Sequence, residues 1–271
     1  MQILTLWDIF HSYRDLMASL IDLYKKDPLP PHCYLAYDLV HEFRNIDIIL
    51  GTSNGEIESY ILIWKAPRLY GIHMWKPTGD LISRLEIRPD RVAYIHLYEN
   101  DEEHIRLVML RLEEIGYNKI ERRKFYNMIC TEETFSPSDK EGLAIRLRSN
   151  HLEFFLELKR SRGQTLSLEE AREILKKRRY YGVIADGKLV STASRYLALE
   201  EIHMIGDVYT RPEYRGRGYA KAVTSAITRE AIVSGAMASL HVETNNEPAI
   251  RVYRSLGYNI AKTHDWILAI P

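Results

Sequence analysis

The 271-residue chain is predicted to be a mixed α/β protein in two halves. Three observations predict this. Residues after 142 read as alternating strands and helices, a polar stretch without apolar periodicity separates them from the residues before 131, and fragments of the second half recur, in order, in the first.

From Met1 to Tyr24, the residues Leu6, Ile9, Phe10, Tyr13, Leu16, Met17, Leu20 and Tyr24 fall at helical spacing, interrupted by Asp8, Arg14, Asp15 and Asp22. The pattern predicts an amphipathic helix rather than a signal peptide. Thr131 to Glu141, containing Ser136-Pro137-Ser138-Asp139, is expected to be a linker between domains at 1–130 and 142–271. The second half then reads as a short strand at Leu143–Leu147, a helix near Asn150–Arg160 and another near Ser167–Arg178. A hairpin follows, Tyr180–Ala185 with Leu189–Leu197, turning at Asp186-Gly187, where a type I′ turn needs two residues of positive φ. A third strand runs over Glu201–Thr210, and a helix from about Gly216 to Ser234 is ended by Gly235. The strand Ser239–Glu243, a short helix with Asn246 as cap and Pro248 in its first turn, and a last strand near Asp265–Ile270 complete the half.

The echo lies in the first 130 residues. Ile72-His73-Met74 recurs as Ile202-His203-Met204, each after a hairpin turned at a glycine (Gly55, Gly187). Ile95-His96-Leu97 and Gly116-Tyr117-Asn118 recur as Leu240-His241-Val242 and Gly257-Tyr258-Asn259. Their shared order predicts a second, degenerate copy of one fold, in which the interval from Met74 to Ile95 is too short for a glycine loop and a long helix.

Composition excludes several classes. Lys plus Arg and Asp plus Glu balance at 37 each, so no global field draws the protein to nucleic acid or anionic lipid, and the aromatics do not interleave with a basic stripe. The basic run Lys176-Lys177-Arg178-Arg179 fits the C-terminal turn of a helix, where cations are favoured. Two cysteines, Cys33 and Cys130, are too few for a disulfide framework and lack metal-ligand spacing, which fits a reducing cytoplasm. Neither a metal site nor a membrane span is expected.

The segment from Val208 to Ala220 carries the functional signal: Val-Tyr-Thr-Arg-Pro-Glu-Tyr-Arg-Gly-Arg-Gly-Tyr-Ala. Gly216 and Gly218 remove the side chains that would keep an anion from the backbone, and the following helix adds the partial charge of its N-terminus. Arg215 and Arg217 add permanent charge. The spacing matches neither a P-loop nor a dinucleotide fingerprint.

The loop resembles the pyrophosphate arm of the GNAT superfamily of acyl-CoA-dependent N-acyltransferases, whose Arg/Gln-x-x-Gly-x-Gly/Ala pattern is met by Arg215, Gly218 and Ala220. Val-Tyr-Thr-x-Pro-Glu-Tyr before it, and Asn-x-x-Ala-x-x-x-Tyr-x-x-x-Gly-Tyr after it, are similar to the glycine N-acyltransferase-like branch. The resemblance implies a GNAT-like mixed sheet, acetyl-CoA or another acyl-CoA as co-substrate, and a primary amine as acceptor. The main chain of Val208, Tyr209 and Thr210 would hold the pantetheine, and the amides of Gly216, Arg217, Gly218, Tyr219 and Ala220, with Arg215, the diphosphate. Asn246 would approach the cofactor, and Tyr253 would give a proton to the departing thiolate. For the base, Asp207 is preferred over Glu201, His203, His241, Glu243 or a water relay. A monomer or homodimer is expected, and the alternative function is an acyl-CoA-binding sensor or scaffold without turnover.

Overall fold

A computed structural model describes residues 2–5 and 14–271. The chain divides into two compact units, one of residues 1–125 with 263–271, the other of residues 126–262.

The first unit opens with β1 (Gln2–Thr5), which pairs antiparallel with β2 (Ile46–Ser53). The predicted N-terminal helix is thus replaced over these four residues by a strand; Leu6, Ile9, Phe10 and Tyr13 lie outside the described residues, and helix α1 spans Arg14–Lys26. Helix α2 (His32–His41) follows, then β3 (Glu56–Lys65) and β4 (Leu69–Trp75). Asn54 and Gly55, at φ of 53° and 82°, make the turn between β2 and β3. Helix α3 (Gly79–Ser83) is only five residues long, and β5 (Val92–Tyr98), α4 (Glu102–Ile115) and β6 (Lys119–Cys130) complete the series. Ile61, Ile63, Ile72, Met74, Ile95 and Leu97 bury one sheet face against Leu81, Ile105, Val108 and Leu112. That stripe is period two on the strands and about 3.6 on α4.

In the second unit come β7 (Ile145–Arg146), α5 (Leu152–Ser161), α6 (Leu168–Lys177), β8 (Arg179–Ala185) and β9 (Lys188–Ala198). Next are β10 (Ile202–Thr210), α7 (Tyr219–Val233), β11 (Met237–Glu243), α8 (Glu247–Arg254) and β12 (Asn259–Ile270). The sheet order here is β6-β11-β10-β9-β8-β7, mixed because only β10 and β11 run parallel among the paired strands described. Ser167 and Glu170 form a reciprocal cap on α6, and Asp186 and Gly187 take the positive φ that the hairpin turn requires.

The expected boundaries at 130 and 142 differ from these units in two ways. The end of β6, from Tyr126, belongs to the second unit, and the end of β12, from Thr263, belongs to the first, where Asp265–Ala269 pair with β5. β6 and β12 therefore each start in one unit and finish in the other. Residues 131–141 are not a free linker. The Ser136 amide donates to the Leu256 carbonyl at 3.1 Å, the Ser138 amide to Ser225 Oγ at 2.9 Å, and Glu141 accepts from Ser225 and Arg229. Polarity there serves hydrogen bonds to folded structure, which local sequence cannot distinguish from solvation.

Candidate functional site

The decisive geometry is where β10 and β11 stop pairing. Four parallel pairs run from Ile202↔Met237 to Ile205↔Leu240, and the ladder goes no further. Asp207, at φ of 50°, marks a bulge against β9 between Gly206 and Tyr209. A non-glycine residue in the left-handed region is uncommon and turns the strand locally. The edge of Val208, Tyr209 and Thr210 toward β11 is consequently without a strand partner, while Tyr209↔Thr192 and Thr210↔Ser191 hold the other edge to β9. In the first unit the corresponding parallel pair, β4 with β5, zips along seven pairs from Leu69↔Val92 to Trp75↔Tyr98 and leaves no such opening.

The echoed motifs do not share one register. Ile72 pairs with Ile95, but Ile202 pairs with Met237 and Leu240 with Ile205.

Beyond β10 the chain makes a 3-10 turn at Pro212–Tyr214, braced by the Tyr214 hydroxyl donating to Asp186 at 3.0 Å. Gly216 and Gly218 have φ of 75° and 85°, so the predicted helix starts at Tyr219 with Gly218 as cap. A glycine cap offers no side-chain acceptor. The first helical bond runs from the Ala222 amide to the Gly218 carbonyl at 3.0 Å, and the amides of 216–221 have no acceptor among the described residues. Six successive unpaired N–H groups at the start of a 15-residue helix leave donors that an anion can accept from. Arg215 and Arg217 are exposed and donate to the Thr210 and Glu213 carbonyls at 3.3 Å each, Arg217 also lying over the Tyr214 ring at 5.1 Å, and Tyr219 and Ala220 are half-buried.

Tyr253 lies on α8 with its ring buried among Ile250, Leu256 and Tyr258. Its hydroxyl has no hydrogen-bond partner among the described residues. Burial pushes its pKa up to about 12, so it keeps its proton at neutral pH. The Asn246 side chain accepts from the Ala249 amide at 3.3 Å; its carbonyl oxygen is the helix cap, and only its NH₂ group is open to a ligand.

Asp207 is the candidate whose surroundings argue against its expected role as base. Its carboxylate accepts from Lys159 and Arg162, both at short range, and from the Tyr180 hydroxyl at 2.7 Å. Burial pushes its pKa up, but the two cations outweigh burial and hold it below the ordinary value. An anion so satisfied is a poor proton acceptor and a good anchor for the bulge. His203 is buried with an unpartnered Nδ1, and burial together with Arg195 lowers its pKa to about 4, as befits a packed side chain. Arg251 and Arg254 are exposed on the helix surface. Lys159, Arg162 and Tyr180 escape sequence reasoning because they meet Asp207 across 48, 45 and 27 residues with no local motif.

Residues 180–267 match the family described as FR47-like protein. Solved structures with the same architecture include a GCN5-related N-acetyltransferase from Sphaerobacter thermophilus, with a TM-score of 0.57 at 14% identity over 98% of this chain and 94% of that one. The fold is that of the GNAT acetyltransferases. A tandem GNAT protein from the clavulanic acid biosynthesis pathway also matches, with a TM-score of 0.53 at 12% identity over 86% of this chain and 87% of that one, and two copies of the GNAT fold account for 271 residues. Among curated proteins, mycothiol acetyltransferase of Corynebacterium aurimucosum is 35% identical over 69 residues, 24% of this chain. The match spans 23% of that relative's length. No helix among the described residues is long and apolar enough to cross a membrane.

Proposed function

We propose that the second unit is an acyl-CoA N-acyltransferase that moves an acetyl, or another short acyl, group to a primary amine by direct attack in a ternary complex. The observation that carries this is the row of unpaired amides at 216–221 beside a strand edge that stops pairing after Ile205. The amides, with Arg215 and Arg217, suit a diphosphate; the open edge of Val208–Thr210 suits the amide-bearing pantetheine as an extra strand. An N–H of that edge would also stabilise the oxyanion. Acyl-CoA brings the activated thioester. The C–N bond forms as the amine attacks, and the C–S bond breaks as Tyr253 gives its proton to the thiolate. The amine's proton leaves to water, and Asp207 holds the bulge. The open NH₂ of Asn246 would meet the cofactor.

The first unit is proposed to be a degenerate, non-catalytic copy, because its β4–β5 ladder is closed and α3, at five residues, replaces the glycine loop and long helix. Likeness to the glycine N-acyltransferase-like branch rests on the motifs around Val208 and Tyr253. A cytoplasmic monomer or homodimer, acting without a metal, fits the cysteine usage and the reaction. Calorimetry with acetyl-CoA, followed by an amine screen for free-thiol release, tests the assignment. Saturable binding with turnover supports it; no binding at millimolar ligand sinks it.

A further inference from the structure

Given the acyl-CoA assignment above, we propose that Lys140 is a further phosphate-binding residue of the cradle. It comes from the segment before β7, which lies outside the glycine-loop motif. Its backbone is pinned on both sides: its own amide donates to Ser138 Oγ at 3.2 Å, the Ser138 amide donates to Ser225 Oγ on α7, and Glu141 is clamped by Ser225 and Arg229. From there the side chain crosses the loop. Its ammonium donates to the Arg217 carbonyl at 3.0 Å, and its Cδ lies 3.3 Å from where a Cβ on Gly218 would be. The lysine therefore shares the rim of the cradle with the unpaired amides of 216–221. It is exposed, and only one of its three N–H donors is engaged.

A single carbonyl acceptor leaves two N–H donors of the flexible ammonium unused, beside a loop whose own amides at 216–221 are unpaired. A diphosphate held by the loop supplies the missing acceptors through a charge-assisted contact. Gly218 then has two reasons to lack a side chain: its positive φ and the lysine stem lying across it.

The test is the dissociation constant of coenzyme A, measured by calorimetry at several ionic strengths for the unaltered chain, Lys140→Met and Lys140→Arg, with thermal unfolding as a check on folding. Lys140→Met is expected to bind about tenfold more weakly at low salt. The deficit should shrink as salt screens the charge, and Lys140→Arg should recover most of it. Unchanged affinity in Lys140→Met overturns the proposal. So does a loss that is independent of salt and not recovered by arginine, which marks a prop for the loop. If the unaltered chain fails to bind coenzyme A, the functional assignment falls together with the lysine; if it binds and Lys140→Met binds equally well, only the lysine falls.

Discussion

The Tyr180 hydroxyl donates to the Asp207 carboxylate at 2.7 Å, and Lys159 and Arg162 take the remaining sites on the same group. The side chain that sequence favoured as a base is thereby the keystone of the bulge that opens the sheet. Asp207→Asn leaves Lys159, which is 7% exposed in its side chain, without an anion, and is expected to cost about 3 kcal/mol in denaturant unfolding. Because the folded pKa is depressed, this stability is present at neutral pH, persists down to the unfolded carboxylate range near pH ~4, and disappears as pH falls through the folded value. The stability difference between the two proteins should therefore close only in acid. The pH–rate profile should keep its acidic limb in Asp207→Asn; loss of that limb would restore Asp207 as base.

Tyr253→Phe separates acid catalysis from packing. The hydroxyl has no partner to lose among the described residues, so the melting temperature and the affinity for coenzyme A should be unchanged. Turnover should fall about 100-fold. Equal turnover in the two proteins would reduce Tyr253 to a core aromatic.

Gly257, at φ of 92°, faces the Thr134 carbonyl so closely that a Cβ would lie 1.8 Å from the oxygen. Gly257→Ala must push residues 131–136 off the end of α8, where the Ser136 amide meets the Leu256 carbonyl. The expected loss is about 3 kcal/mol or more, with early proteolytic cleavage near Thr134. Gly216→Ala is the control: its Cβ would meet nothing within 4 Å, so only the strain of its φ of 75° remains, about 1 kcal/mol.

Acetyl-CoA should titrate to one equivalent per chain, since β4 and β5 are paired throughout and only β10 and β11 part. Arg215→Ala should weaken that one site without exposing another. A stoichiometry of two refutes the degenerate status of the first unit.

Local chemistry was legible throughout the second half. The hairpin at Asp186-Gly187, the capped helix after Ser167, the glycine loop and the helix of Tyr253 all stand where spacing places them, with ends shifted by a few residues. Capping, turn conformation and apolar periodicity are decided by residues within a turn or two of one another, so a sequence carries them openly.

By itself, then, the chain's sequence carried the element order of the second half, the glycine loop at 216–220 and the helix that bears Tyr253. Only tertiary structure decided the rest: the exchange of strand ends at Tyr126 and Thr263, the folding of 131–141 onto α7 and α8, the anchoring of Asp207 and the place of Lys140. Each of these depends on side chains that meet across tens of residues, where burial and pairing set the partner and no local pattern records it.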